Sequence, residues 1–63
     1  MKKNWSYNGN DYEMVKTGYG QYMLNGYHCT DSEIWDWCDD DSNEEKHMEA
    51  LRAAEIFVEI MEY

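Results

Sequence analysis

In the first half of the chain apolar residues come in short runs broken by Asn and Gly; in the second half they recur at helical spacing. Trp5-Ser6-Tyr7 is followed by Asn8-Gly9-Asn10-Asp11, then Tyr12-Glu13-Met14-Val15-Lys16-Thr17. Gly18-Tyr19-Gly20 leads to Gln21-Tyr22-Met23-Leu24, and Asn25-Gly26 to Tyr27-His28-Cys29. Asn-Gly between apolar runs is a strong hairpin signal, because both residues accept the positive φ that a type I′ turn demands. The pattern predicts three or four short antiparallel strands over about residues 3–29.

From Thr30 the period changes. Thr30-Asp31-Ser32-Glu33 has the Ser/Thr-x-x-Glu spacing in which cap and N3 side chains satisfy each other's free backbone donors. It predicts a helix over about residues 31–40. At 100° per residue Ile34, Trp35, Trp37 and Cys38 share one arc, and Glu33, Asp36, Asp39 and Asp40 the opposite one. A strand would bury a charge whichever side faced in. Ser42-Asn43-Glu44-Glu45 repeats the capping spacing and opens a second helix, about 43–62. There Arg52, Glu55, Glu59 and Glu62 cluster, while apolar residues from Met48 to Met61 spread over roughly 200°. A helix on one small sheet needs an arc nearer 100°, so this one is expected to touch a second surface: the preceding helix, another copy, or a target protein. Leu51, Ala54, Val58 and Met61 are the candidates for self-association.

Sixty-three residues make one compact α+β domain, a small antiparallel sheet followed by two helices. A chain this short buries only about 60% of its unfolded surface. Small cores rarely supply more than roughly 3–5 kcal/mol, and a disulfide, a metal or a second copy commonly adds to that. Homo-oligomerisation is therefore expected. Three Trp, six Tyr, one Phe and five Met provide the apolar payload that disordered acidic chains lack. A net charge of −9 argues against direct binding to nucleic acid or an anionic membrane, both of which repel it. No run approaches the roughly 20 apolar residues of a membrane span, and Met1-Lys2-Lys3-Asn4-Trp5-Ser6-Tyr7 has no apolar h-region. A cytoplasmic location is expected, with Cys29 and Cys38 as free thiols in or near the core.

Charge adds the most informative feature. Eight acids and no base occupy Asp31 to Glu45. Glu33, Asp36, Asp39 and Asp40, three and four residues apart, fall about 4.5–6 Å apart along a helix axis, near the pitch of a nucleic-acid backbone. With Asp41, Glu44 and Glu45 they form a candidate phosphate-like stripe for a basic cleft. The plainer reading is a solvated outer face, with acids favoured in the first turn of the next helix.

Other chemistry is poorly supported. Asp39-Asp40-Asp41-Ser42-Asn43-Glu44 lacks the alternating ligands and central Gly of a calcium loop. His28, Cys29, Cys38 and His47 have zinc-ligand types without zinc-ligand spacing. Neighbouring acids suppress a Cys38 thiolate, and no nucleophile elbow or phosphate-cradling loop is present. No metal, cofactor or catalytic residue is assigned. Among the aromatics, Tyr19 between two glycines has the weakest claim on the core and is a candidate contact residue.

The sequence thus points to a non-catalytic binding protein: a small acidic inhibitor or adaptor, of the kind viruses direct at host nucleic-acid machinery. As a nucleic-acid mimic it would block the basic surface of a nucleic-acid-binding protein. The alternatives are a homodimeric structural or assembly protein using the last helix, and a small-ligand or metal-binding module.

Overall fold

Asn8-Gly9 and Asn25-Gly26 take positive φ at both positions, +50° and +80° in the first pair and +51° and +84° in the second. That is the backbone of a type I′ turn, whose twist matches the strands it joins. A computed structural model describes all residues from Met1 to Tyr63. The two Asn-Gly turns and a Tyr19-Gly20 loop connect β1 (Lys2–Tyr7), β2 (Asn10–Gly18), β3 (Gln21–Leu24) and β4 (Tyr27–Cys29) into an antiparallel sheet of order β1-β2-β3-β4. Gly20 closes the middle loop at φ +67°. An irregularity between Lys16 and Gly18 leaves Thr17 outside the β2–β3 register, as a bulge does. At the other end of that pair the side chain of Asn25 stands in for a strand partner. Its Oδ1 accepts from the Glu13 N–H at 2.8 Å, while its own N–H donates to the Glu13 carbonyl at 2.8 Å.

Register sorts the faces. Trp5 pairs with Tyr12, Met14 with Leu24, and Tyr22 with Cys29, which puts these apolar residues on the side that the helices cover. Two helices follow, α1 (Ser32–Trp37) and α2 (Glu44–Glu62). Together with Ile34, Trp35, Cys38, Ala54 and Val58 they complete the core. The opposite sheet face, with Asn4, Ser6, Glu13 and His28, is exposed. Trp5 stacks on Tyr12 within the sheet, centroids 5.6 Å apart, and Tyr22 stacks on Trp35 at 5.4 Å, joining β3 to α1. Both cysteines are free thiols buried in this core.

The helix starts differ from expectation by one residue. The N-caps are Asp31 and Asn43, not Thr30 and Ser42. Asp31 accepts from the N–H groups of Glu33 and Ile34, and Asn43 from that of Lys46. Asp and Asn outrank Thr as caps, and where two capping residues adjoin, the backbone takes the one whose carboxylate or amide reaches the free donors. α1 is also shorter than the predicted 31–40. It ends at Trp37, with Cys38 as its C-cap, because Asp39-Asp40-Asp41 favour turns over helix.

Part of the wide apolar arc of α2 meets two internal surfaces, while Met48, Ile56, Ile60 and Met61 stay exposed. One flank of the helix packs on the sheet through Ala54 and Val58. Ala50 and Ala53 border the hollow that Ile34 and Trp37 of α1 also line. No helix is long and apolar enough to cross a membrane.

Candidate functional site

The early end of α1 alters the acidic stripe. Only Glu33 and Asp36 lie on the helix, both exposed. Asp39 turns to Lys3, whose Nζ lies 3.0 Å from its Oδ1. The same ammonium donates to the Trp35 carbonyl at 2.6 Å and sits 4.5 Å from the centroid of the Trp35 ring. Lys3 thus satisfies a carbonyl at the end of α1, where a cation is electrostatically favoured, and ties β1 to the helix layer. Asp40 folds into the turn. Its Oδ1 accepts from the Ser42 N–H at 3.0 Å, and hydrogen bonding from Ser42 holds its carboxyl below the ordinary range. The single stripe of four acids on α1 is therefore corrected: three of the block's eight carboxylates, Asp31, Asp39 and Asp40, are spent on a cap, an ion pair and a turn.

Five remain outward and unpaired: Glu33, Asp36, Asp41, Glu44 and Glu45. All are exposed. Glu44 and Glu45 occupy the first turn of α2, where the helix dipole stabilises negative charge. The junction is braced by His47, whose Nδ1 lies 2.9 Å from the Trp37 carbonyl. A braced α1–turn–α2 corner thus presents five carboxylates that form no ion pair, with the exposed Lys46 at its edge.

Lys3 gives this corner a stability test. Lys3→Met keeps the aliphatic stem and removes the ammonium. Hydrogen bonds to charged groups are worth about 1.5–3 kcal/mol, discounted for the half-exposed Asp39 partner. The expected loss is about 1–2 kcal/mol in urea denaturation; an unchanged midpoint would show that only the stem matters.

Comparison with protein-family models, with curated proteins and with solved structures yields no match.

The self-association residues are placed against expectation. Leu51, Ala54 and Val58 are buried within the chain's own fold, at 7%, 0% and 7% exposure, so they are not free to meet a second copy. Of that set only Met61 is outward, at 46%. The wheel could not choose among positions on so wide an arc, and α1 and the sheet took the middle of it. Tyr19 is fully exposed at the β2–β3 loop. His28 is exposed while Cys29 is buried, and nowhere do three His, Cys, Asp or Glu side chains converge as metal ligands do.

One feature escaped the sequence reading. Asp11, Glu55, Glu59 and Glu62, with Asn10, Tyr12, Asn25 and Val58, line a groove of about 400 Å³ between β2 and the C-terminal half of α2. Asn8 Nδ2 donates to Glu55 Oε2 at 3.0 Å. Burial, and next the charge of Glu55, push the Tyr12 hydroxyl above its ordinary pKa. Tyr12 therefore stays protonated at the wall of an acidic groove. The i, i+4, i+7 spacing of Glu55, Glu59 and Glu62 is visible in the sequence. Their meeting with Asp11, forty-four or more positions away, is set by tertiary structure.

Proposed function

We propose that this chain is a small acidic inhibitor or adaptor that binds the basic, nucleic-acid-contacting surface of another protein, in the manner of virus-encoded nucleic-acid mimics. The supporting observation is the braced corner bearing Glu33, Asp36, Asp41, Glu44 and Glu45. These carboxylates sit on α1, the turn and the start of α2, form no ion pair within the chain, and run from Glu33 to Glu45 without an interposed cation. A basic cleft gains charge-assisted hydrogen bonds to such a surface, and association is steered by the net charge of −9. Nothing in this reading requires catalysis or a cofactor.

Affinity capture with the tagged chain at low and high salt, followed by competition with duplex DNA, tests it. The expected result is a nucleic-acid-binding protein retained at low salt, weakened at high salt, and unable to hold DNA while the chain is bound. Asp36→Lys with Asp41→Lys should abolish capture and leave the fold intact, because neither side chain makes a hydrogen bond or ion pair within the chain. Capture undiminished by the double reversal would overturn the proposal.

A second reading, self-assembly through α2, draws on the apolar residues Ile56, Ile60 and Met61 that remain exposed. It is opposed by the glutamates beside them, which a symmetric pair would bring together.

A further inference from the structure

The C-terminal half of α2 carries two parallel rows. Glu55, Glu59 and Glu62 stand at i, i+4 and i+7; Ile56, Ile60 and Tyr63 stand beside them at the same spacing, one residue on. Residues so spaced form a continuous ridge on a helix. The carboxylate row borders the groove it shares with Asp11. The apolar row forms a second, open hollow lined by Ile56, Glu59, Ile60 and Tyr63. Glu59 belongs to both. Ile56 and Ile60 are 46% and 68% exposed, and neither belongs to the core.

Beyond the Asn8 hydrogen bond to Glu55, neither row is explained by the stability of the chain. Glutamates four residues apart repel each other. Acids near a helix C-terminus oppose its dipole, and the last turn of α2 contains no basic residue. No Lys or Arg lines either hollow. In the α1–α2 corner, by contrast, most acids cap, pair or sit favourably at a helix start, Asp36 and Asp41 excepted. The C-terminal half of α2 therefore combines glutamates that form no ion pair with a cluster of exposed apolar side chains on one helix face.

The geometry points to a docking surface for a cationic amphipathic segment of a partner protein, its Lys or Arg side chains entering the groove of Asp11, Glu55, Glu59 and Glu62 and its apolar side chains lying on Ile56, Ile60 and Tyr63. Charge complementarity selects this occupant. A second copy would set glutamate row against glutamate row, and an anionic lipid surface would repel the groove. Glu59 is about 21 Å along the helix axis from Glu45, so this surface is separate from the acidic corner and does not depend on the function proposed for it.

The test uses a fluorescent synthetic helical peptide of leucine and lysine, and the same peptide with glutamate for lysine, in anisotropy titrations against the intact chain. The lysine peptide is expected to bind and the glutamate peptide not to. Ile60→Ser and Glu59→Lys, both at exposed positions, should each weaken binding on the order of tenfold, the scale of an interface hot spot. Asp36→Lys, on α1 and outside both hollows, should change it less than about twofold, as a charge outside the contact is screened at physiological salt. Circular dichroism confirms that each variant is folded. An Asp36→Lys loss equal to that of Glu59→Lys would reduce the effect to net charge and overturn the inference. So would indifference to Ile60→Ser, or a dimer in sedimentation that Ile60→Ser dissolves, which would assign the apolar row to a second copy.

Discussion

Leu24→Ala is expected to unfold this domain, or to leave it so marginal that its thermal transition begins near room temperature. Leu24 has no exposed surface. It lies on β3 between Met14 of β2 and Tyr27 of β4 in the register, so the lost volume opens in the middle of the sheet, beneath the helices. Burying the larger side chain contributes its transfer free energy, and the cavity left behind adds a further cost where neighbours cannot collapse. Leu→Ala at such sites costs about 2–5 kcal/mol. A domain of this size rarely has more than roughly 3–5 kcal/mol in total. Few residues are positioned to refill the space, because the inner face of this sheet meets only one short helix and one long one. Ile60→Ala removes one carbon fewer than would be lost by full truncation to glycine, from a side chain 68% exposed, and is expected to fall within about 0.5 kcal/mol of the parent. Thermal and urea unfolding followed by tryptophan fluorescence measure both. At about 4–8 °C per kcal/mol for a small domain, a Leu24→Ala melting temperature within a few degrees of the parent would show that the core is not organised around β3 as described.

Such a core was only partly legible in the sequence, and the boundary has a physical origin. Both Asn-Gly turns were readable because a type I′ turn is decided by the φ preferences of two adjacent residues. The strands between them followed from alternation and from the turns that bound them, which left little freedom in register. The inward arc of α1, Ile34, Trp35 and Cys38, also followed from periodicity. Its length did not. Wheel arithmetic continued the helix through Asp39 and Asp40, whereas these side chains found better partners outside it, in Lys3 thirty-six residues away and in the Ser42 backbone. The same limit separated the acidic block into spent and free carboxylates: a cap is a local matter, but an ion pair to β1 depends on where the sheet lies. On α2 the breadth of the apolar arc was visible, and its meaning was ambiguous, since an arc of that width gives no unique inner side. Tertiary packing buried Leu51, Ala54 and Val58 and left Ile56 and Ile60 outside. The groove beneath Glu59 needed Asp11 and Tyr12 from β2, so no local pattern announced it.

Alkaline pH is expected to destabilise the fold more sharply than its acidic composition would suggest, with the buried thiols as the cause. Burial pushes Cys38 from its ordinary 9.0 up to about 11; Asp39 and Asp36 add to the rise, and Lys3 opposes it. Burial raises Cys29 also, and burial with the nearby glutamates raises the Tyr12 hydroxyl. In each case the folded chain holds the proton more tightly than the unfolded chain does. Below about pH 9 both states keep the Cys38 proton and nothing is lost. Above it the unfolded state deprotonates first, so stability falls as pH rises, and the loss is complete once the folded thiol also titrates, near 11. A tenfold change in proton affinity corresponds to about 1.4 kcal/mol, so Cys38 alone accounts for a decline on the order of 2–3 kcal/mol across that interval. That is comparable with the whole stability of a domain this small. Urea midpoints measured from pH 7 to 11 should be level at first and then drop steeply. Cys38→Ala, which lowers the starting stability by opening a small cavity, should nevertheless flatten the alkaline limb, because the slope reports protons and not packing. Thiol reagents give an independent readout: at pH 8 both cysteines should react slowly in the native chain and rapidly in urea. Parallel alkaline limbs for the parent and Cys38→Ala would place the titrating group elsewhere and refute the assignment to this thiol.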